Sequence, residues 1–262
     1  MLALIAIVAF VLITGATTGG SQASALAAFD NQPAPQSVLS QLRIPSSVAD
    51  SVGIGLATNF PKSVTAKPLT LNGKPEIVYI GAEYCPYCAL ERWGLVIALM
   101  RFGNFTGLQY MTSSATDVGA STPTFTFVNA TYTSKYIAFV SREQTNNKVN
   151  STTGQYQPLQ QLNASQRALV SKYDSTGSIP FMVFANETVQ VGANYNDPTV
   201  IASMNWTTIA DTLHNSPSSL QSLALVGEAN LITAQICLIL NNTPASTCSQ
   251  SYVTSVERLL GH

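Results

Sequence analysis

Cys85-Pro86-Tyr87-Cys88 is the group in this chain best suited to chemistry. Two cysteines separated by two residues can exchange a disulfide with another pair of sulfurs, or they can hold a metal. The thiolate is the nucleophile in exchange, so the first cysteine needs a position that favours ionisation. A helix N-terminus is such a position, because its unpaired backbone N–H groups carry partial positive charge. In that arrangement Cys85 is expected to be the exposed nucleophile. Cys88, one turn inside the helix, is the resolving thiol that releases the mixed disulfide. Pro86 falls at the helix start, where it removes no hydrogen bond.

The elements that must position this pair are legible on both sides of it. Residues 76–81 (EIVYIG) form an apolar, β-branched run, as expected for a buried central strand. Leu90, Trp93, Ile97, Leu99 and Met100 recur at helical spacing and predict a helix over 88–102, interrupted by the polar Glu91, Arg92 and Arg101. Residues 108–111 read as the next strand, so strand, helix and strand make one βαβ unit. Asn72-Gly73 between apolar residues predicts a hairpin turn leading into the central strand. Residues 178–184 (SIPFMVF) are a second strand-like run, and 188–192 close a hairpin with it. Helices are expected over 162–173, capped by Asn163 or Ser165, and over 206–214, capped by Asn205. The aromatics Phe125, Phe127, Tyr132, Tyr136 and Phe139 are expected to pack an inserted β segment, and Trp93 the core. Residues 220–240 predict a long helix, followed by a Pro244 loop and a last helix over 252–260.

Strand, Cys-Pro-Tyr-Cys, amphipathic helix, strand and a later Ile179-Pro180 before a strand resemble the thioredoxin-like superfamily. The Cys-Pro-Tyr-Cys form is best known from glutaredoxins. The insertion is similar to that of secreted disulfide-exchange proteins of the DsbA-like group. The whole pattern also resembles an uncharacterised archaeal domain-of-unknown-function family with an N-terminal membrane anchor and a thioredoxin-like core. The similarity covers roughly residues 76–215. It implies an α/β fold, a thioredoxin-like mixed sheet flanked by helices. Pro180 would be a cis-proline facing the active cysteines, and Ile179 would offer its backbone to a substrate chain. Thioredoxins often carry a buried acid late in the preceding strand. Here that strand has Glu76 at its beginning and Tyr79 further in, and neither matches. Glu83 is a loop candidate for proton transfer, with an exposed, solvated side chain as the plainer expectation. Tyr84 supplies the usual aromatic before the first cysteine.

Composition bounds the compartment. The chain of 262 residues has a formal net charge of -1, so no basic footprint points to nucleic acid. Only 10% of its residues are charged, against a usual ~25%. The 46% hydrophobic fraction excludes a disordered chain. A surface of hydroxyls and amides suits glycans, or an acid exterior where carboxylates would protonate. Residues 1–13 are apolar and no charge follows until after Phe29. They read as a signal or anchor, with Ala23-Ser24-Ala25 resembling a cleavage site and no basic residue ahead of the run. Sequons at Asn104, Asn129, Asn150, Asn163, Asn186, Asn205 and Asn241 also point outside the cytoplasm, where disulfides persist. The expected organisation is an apolar segment and tether (1–30), an N-terminal extension (31–75), a thioredoxin-like domain (76–215, with an insertion at about 113–173) and a C-terminal helical hairpin (216–262).

Other uses of the cysteines stay open at this point. Structural zinc wants four Cys/His ligands, and the chain has only His214, His262 and two further cysteines. Copper(I) could use two thiolates, but methionines do not cluster. Cys85 and Cys88 could also form an inert disulfide. Cys237 and Cys248 are expected to staple the C-terminal hairpin, with a second shuttle pair as the alternative. His214 is expected to meet the last carbonyls of its own helix. The leading expectation is an extracytoplasmic, membrane-anchored thiol–disulfide oxidoreductase or isomerase that needs no dissociable cofactor and no metal. Its partners would be secreted client proteins, a membrane redox partner and the bilayer around the N-terminal helix. The alternative is a structural, pilus-like surface subunit that self-assembles through that helix.

Overall fold

The computed structural model describes residues 25–262. The apolar helix expected at 1–13 lies outside the described residues. The architecture is mixed α/β and is organised around one strand. Two short helices, α1 (Gln36–Gln41) and α2 (Ser46–Val52), precede the strands β1 (Lys62–Ser63), β2 (Thr70–Leu71) and β3 (Lys74–Gly81). The β2–β3 turn uses Asn72 and Gly73, both at positive φ, as a tight hairpin requires. Helix α3 (Pro86–Met100) follows, then β4 (Gly103–Thr106), β5 (Gln109–Thr112), β6 (Pro123–Thr126), β7 (Thr131–Ser134), β8 (Ala138–Glu143), β9 (Thr145–Val149) and β10 (Tyr156–Pro158). Helix α4 (Ala164–Tyr173) leads to the hairpin β11 (Phe181–Phe184) and β12 (Thr188–Val191). The chain ends in α5 (Trp206–Asn215), α6 (Leu220–Ile239), α7 (Ala245–Cys248) and α8 (Ser251–Leu259).

The central sheet has six strands. Its main path runs β1-β12-β11-β3-β2, and β8 pairs with β3. Only the β3–β8 pairing is parallel, running from Glu76↔Ala138 to Gly81↔Glu143. Side chains alternate across the sheet with a period of two. Ile77, Tyr79, Met182 and Phe184 enter the larger core with α3 and α6. Val78, Ile80, Phe181 and Val183 enter a second core, covered by Leu169, Val170 and Tyr173 of α4. Burial on both faces explains why β3 reads as an unbroken apolar run.

One expectation about layout is corrected. The strand expected at 108–111 exists as β5, but it is not the return strand of the βαβ unit. It pairs antiparallel with β6 in a separate two-stranded ribbon. The parallel neighbour of β3 comes from β8, inside the segment expected to be an insertion. The reason is length: β8 offers six residues of register to the central strand, whereas β5 has four. The ribbon instead buttresses α3, with Trp93 Nε1 donating to the Pro123 carbonyl and Thr124 Oγ1 donating to that of Ala89.

Helix α6 packs on α8 and is joined to α7 by the Cys237–Cys248 disulfide, and it also forms part of the main core. It packs along α3 and also touches α2, α5 and α8. Among the described residues it is the one helix long and apolar enough to cross a membrane, yet it is almost wholly buried in this fold. Gly94 permits the close approach to α3: a Cβ there would sit 2.5 Å from Glu228 Cγ.

Candidate functional site

Cys85 caps α3. Its backbone is extended (φ -73°, ψ 119°), and its Sγ accepts the Cys88 N–H at 3.1 Å. A sulfur thus fills the place usually taken by a Ser, Asp or Asn oxygen at a helix N-cap. Both Cys85 and Cys88 are free thiols. The Cys85 Sγ also lies 3.9 Å from the Ile179 carbonyl oxygen. The Ile179–Pro180 peptide is cis, and the Gly192 N–H donates to the Pro180 carbonyl at 2.8 Å. The structure therefore brings Cys85, Cys88, Ile179 and Pro180 together from two distant parts of the sequence.

The expectation of an exposed nucleophile is corrected: Cys85 is only 4% accessible. Its loop is held down from one side. Tyr84 stacks on Tyr156 of β10 with centroids 4.1 Å apart, and the Tyr84 carbonyl accepts from the Ser114 N–H. Tyr156 Oη donates to Ser114 Oγ at 2.6 Å. The Ile179-Pro180 segment closes the other side.

The two thiols differ in their ionisation. Burial pushes the Cys85 thiol up, but hydrogen bonds from the Cys88 thiol and N–H, the Arg92 charge and the Tyr87 N–H outweigh it, and the net direction is down. Cys88 moves well up, through complete burial and through the hydrogen bond it gives Cys85. The geometry thus favours a thiolate at Cys85 and a thiol at Cys88.

Beneath the pair lies a charged layer. Arg92, one turn after Cys88, makes a bidentate ion pair with Glu143 at the end of β8 (2.8 and 2.9 Å), and both side chains are wholly buried. Arg92 Nη2 also donates to the Ala82 carbonyl at 2.6 Å, fixing the start of the cysteine loop. The Tyr79 hydroxyl and Arg92 Nη1 are buried here without protein partners. Glu83 is corrected from solvated to buried, at 3% accessible. Its carboxylate accepts from Thr126 Oγ1 at 2.6 Å, because β6 closes over the loop. Burial raises the Glu83 pKa, against the opposing Thr126 hydrogen bond and Arg92 charge.

The remaining candidates sit elsewhere. Cys237 and Cys248 form a buried disulfide joining α6 to α7. His214 does not meet its own helix end. Its Nδ1 lies 2.8 Å from the Gln41 carbonyl oxygen and ties α5 to α1, because the two helices pack together. Asn104, Asn129, Asn150, Asn163, Asn205 and Asn241 are exposed. Asn186 is half-buried, its amide donating to the Lys67 carbonyl. Asn163 and Asn205 also cap α4 and α5. Among the described residues no group of three or more His, Cys, Asp or Glu could hold a metal.

Sequence reading missed Arg92, Glu143 and Glu228 as members of the interior. A signal existed for two of them. Arg92 stands four residues after Cys88, on the same helix face, and Glu228 is the lone charge in the twenty residues of α6.

Fold and site define a mixed α/β protein with paired free thiols at a helix N-terminus. Over residues 61–238 the chain matches a family described as a domain of unknown function, DUF929. It belongs to that family. The match reaches from just before β1 to the end of α6. No curated protein and no solved structure matches the chain.

Proposed function

We propose that the protein is an extracytoplasmic, membrane-anchored thiol–disulfide oxidoreductase or isomerase built on a thioredoxin-like core. The core reading is supported by a strand order of β12-β11-β3-β8, with β8 parallel to β3 and β11 antiparallel to it. The observation that carries the activity is Cys85 itself: a helix-capping sulfur with a lowered pKa, Cys88 directly behind it and Ile179-Pro180 against it. The Cys85 thiolate attacks a client disulfide, forming a mixed disulfide and releasing one client thiolate. Cys88 loses its proton and attacks Cys85 Sγ. The Cys85–Cys88 disulfide forms, the second client thiolate leaves, and two electrons pass to the client. The reverse sequence oxidises a client. Secreted proteins are the proposed clients, with a membrane partner resetting the pair and no dissociable cofactor. The test is a redox titration of the Cys85/Cys88 pair with exchange against a peptide disulfide. A reversible two-electron couple is expected. A Cys85→Ser variant as active as wild type would sink the assignment.

A further inference from the structure

Opposite the Arg92–Glu143 pair, α3 carries a second buried acid that faces no cation. Glu91 and Glu228 are both fully buried and lie within hydrogen-bonding reach of each other across the α3–α6 contact. Glu91 accepts two hydrogen bonds from Asn194, from its N–H at 3.2 Å and from its Nδ2 at 3.1 Å. Two residues earlier, the Gly192 N–H holds the Pro180 carbonyl. Asn59 Nδ2 binds the Val191 and Ala193 carbonyls of the same segment. Thus Glu91 connects the helix that carries Cys85 and Cys88 to the segment that carries Ile179 and Pro180.

We propose that Glu91, braced by Glu228, is a positioning residue that fixes Ile179-Pro180 against Cys85 through Asn194 and Gly192. The link from Glu91 to Asn194 rests on two hydrogen bonds, the brace on the close packing of Glu228 against Gly94 of α3, and the consequence for exchange on the function proposed above.

The strut needs a proton. No donor meets hydrogen-bond geometry with either Glu228 oxygen. A charged Glu228 would therefore be an unpaired buried anion beside a second one. Burial first, and then Glu91, push the Glu228 pKa well up, and the nearby Asn194 side chain opposes them without reversing the direction. Protonated, Glu228 donates to the Glu91 carboxylate, and Glu91 keeps its Asn194 bonds. The other charged groups on and around α3 and α6 are committed elsewhere. Arg92 pairs with Glu143, and Arg101 binds Ala229, Asn230 and Thr233 of α6. Asp50 on α2 accepts from Ser251 and Tyr252. Asp211 on α5 accepts from Asn215, and His214 meets Gln41. Glu257 on α8 feels His262, and Arg258 donates to Thr254 and Ser255. As pH rises through the raised value, Glu228 loses its proton, the two carboxylates repel, and the strut loosens.

The test uses the full chain, as wild type and as Glu228→Gln, whose neutral amide can donate to Glu91 at any pH. Hydrogen exchange at the Gly192 amide, corrected for intrinsic rate, is followed from about pH 4 to about pH 8. In wild type its protection should fall at least about tenfold relative to the amides of β3. In Glu228→Gln it should stay flat. Flat protection in wild type, or the same fall in the variant, would overturn the strut, whether or not the protein exchanges disulfides. A second measurement is the ratio of exchange rates with a peptide disulfide and with a small aromatic disulfide. The small reagent needs the Cys85 thiolate but no edge at Ile179. The ratio should fall with rising pH in wild type, fall at all pH in Glu91→Gln and stay at its acid value in Glu228→Gln. Unchanged ratios beside an active wild type would remove the positioning role while leaving the oxidoreductase in place. A wild type inactive towards both reagents would instead remove the oxidoreductase, with the Gly192 readout still deciding the strut.

Discussion

Two cysteine pairs occupy the molecule, and their surroundings differ more than their burial does. Cys85 and Cys88 are free thiols where a loop enters α3, above the buried Arg92–Glu143 pair and beside Ile179-Pro180. Cys237 and Cys248 are a closed disulfide between α6 and α7, in the apolar cluster that also holds Tyr252 and Val256. Helix N–H groups and a guanidinium stabilise charge on sulfur at the first pair. At the second, the sulfurs are bonded to each other, and that bond restricts the unfolded chain. Burial alone therefore does not separate the free pair from the bonded one, because all four cysteines are buried.

Substitutions at the two cysteine pairs should differ most in their effect. Cys85→Ser should reduce exchange with a peptide disulfide to the uncatalysed background, and Cys88→Ser should accumulate the mixed disulfide on Cys85. Cys237→Ala/Cys248→Ala should leave the exchange rate near wild type. Loss of exchange in that last variant at a temperature where it remains folded would show that the pairs are one relay.

Next in size is the charged layer. Arg92→Met leaves Glu143 buried without a cation and should cost about 3–5 kcal/mol in denaturant unfolding. Replacing both partners, Arg92→Met/Glu143→Leu, should recover most of that stability. It should also raise the pH midpoint of Cys85 alkylation, because the Arg92 charge helps lower that thiol. A recovered fold with an unshifted midpoint would remove Arg92 from the site's electrostatics.

Removing the structural disulfide should cost less. Its sequence separation is 11, a loop whose closure contributes about 2–3 kcal/mol. Calorimetry of the double alanine variant measures it directly, and no loss of stability would contradict its role as a staple.

The gentlest perturbation is pH. Asp30, Glu76, Glu83, Glu91, Glu228 and Glu257 all have raised pKa values, chiefly through burial. A carboxyl raised in the folded state binds more protons there than in the unfolded chain. Its contribution is complete below the unfolded value and is lost as pH rises through the folded one. The melting temperature should therefore be higher at about pH 4 than at about pH 8. A melting temperature that rises over that interval would contradict the protonated interior. Acid-favoured stability accords with a chain in which only 10% of residues are charged.

Much of the local layout was legible in the residues. The β-branched run at 76–81, the helix behind Cys85, the Asn72-Gly73 turn, the Asn163 and Asn205 caps and the 181–191 hairpin all follow from short-range rules. Pairing was less legible. Residues 108–111 read as a strand and β8 lies within the expected insertion, but only long-range register decides which one lies parallel to β3. Charged residues misled in a consistent way. Glu83, Glu91, Arg92 and Glu228 have the composition of surface positions, and each is buried.

Local sequence alone places the Cys85 sulfur at the start of α3. A cysteine followed by proline at the start of an amphipathic helix places its sulfur among unpaired backbone N–H groups, whatever the rest of the chain does. What that sulfur faces, the Ile179 carbonyl and the Arg92 charge, depends on tertiary structure. The division is physical. Capping depends on dihedral angles a few residues apart. Burial of a charge depends on which distant element covers it, and a lone Glu in an apolar helix becomes interior only when α6 lies down on α3.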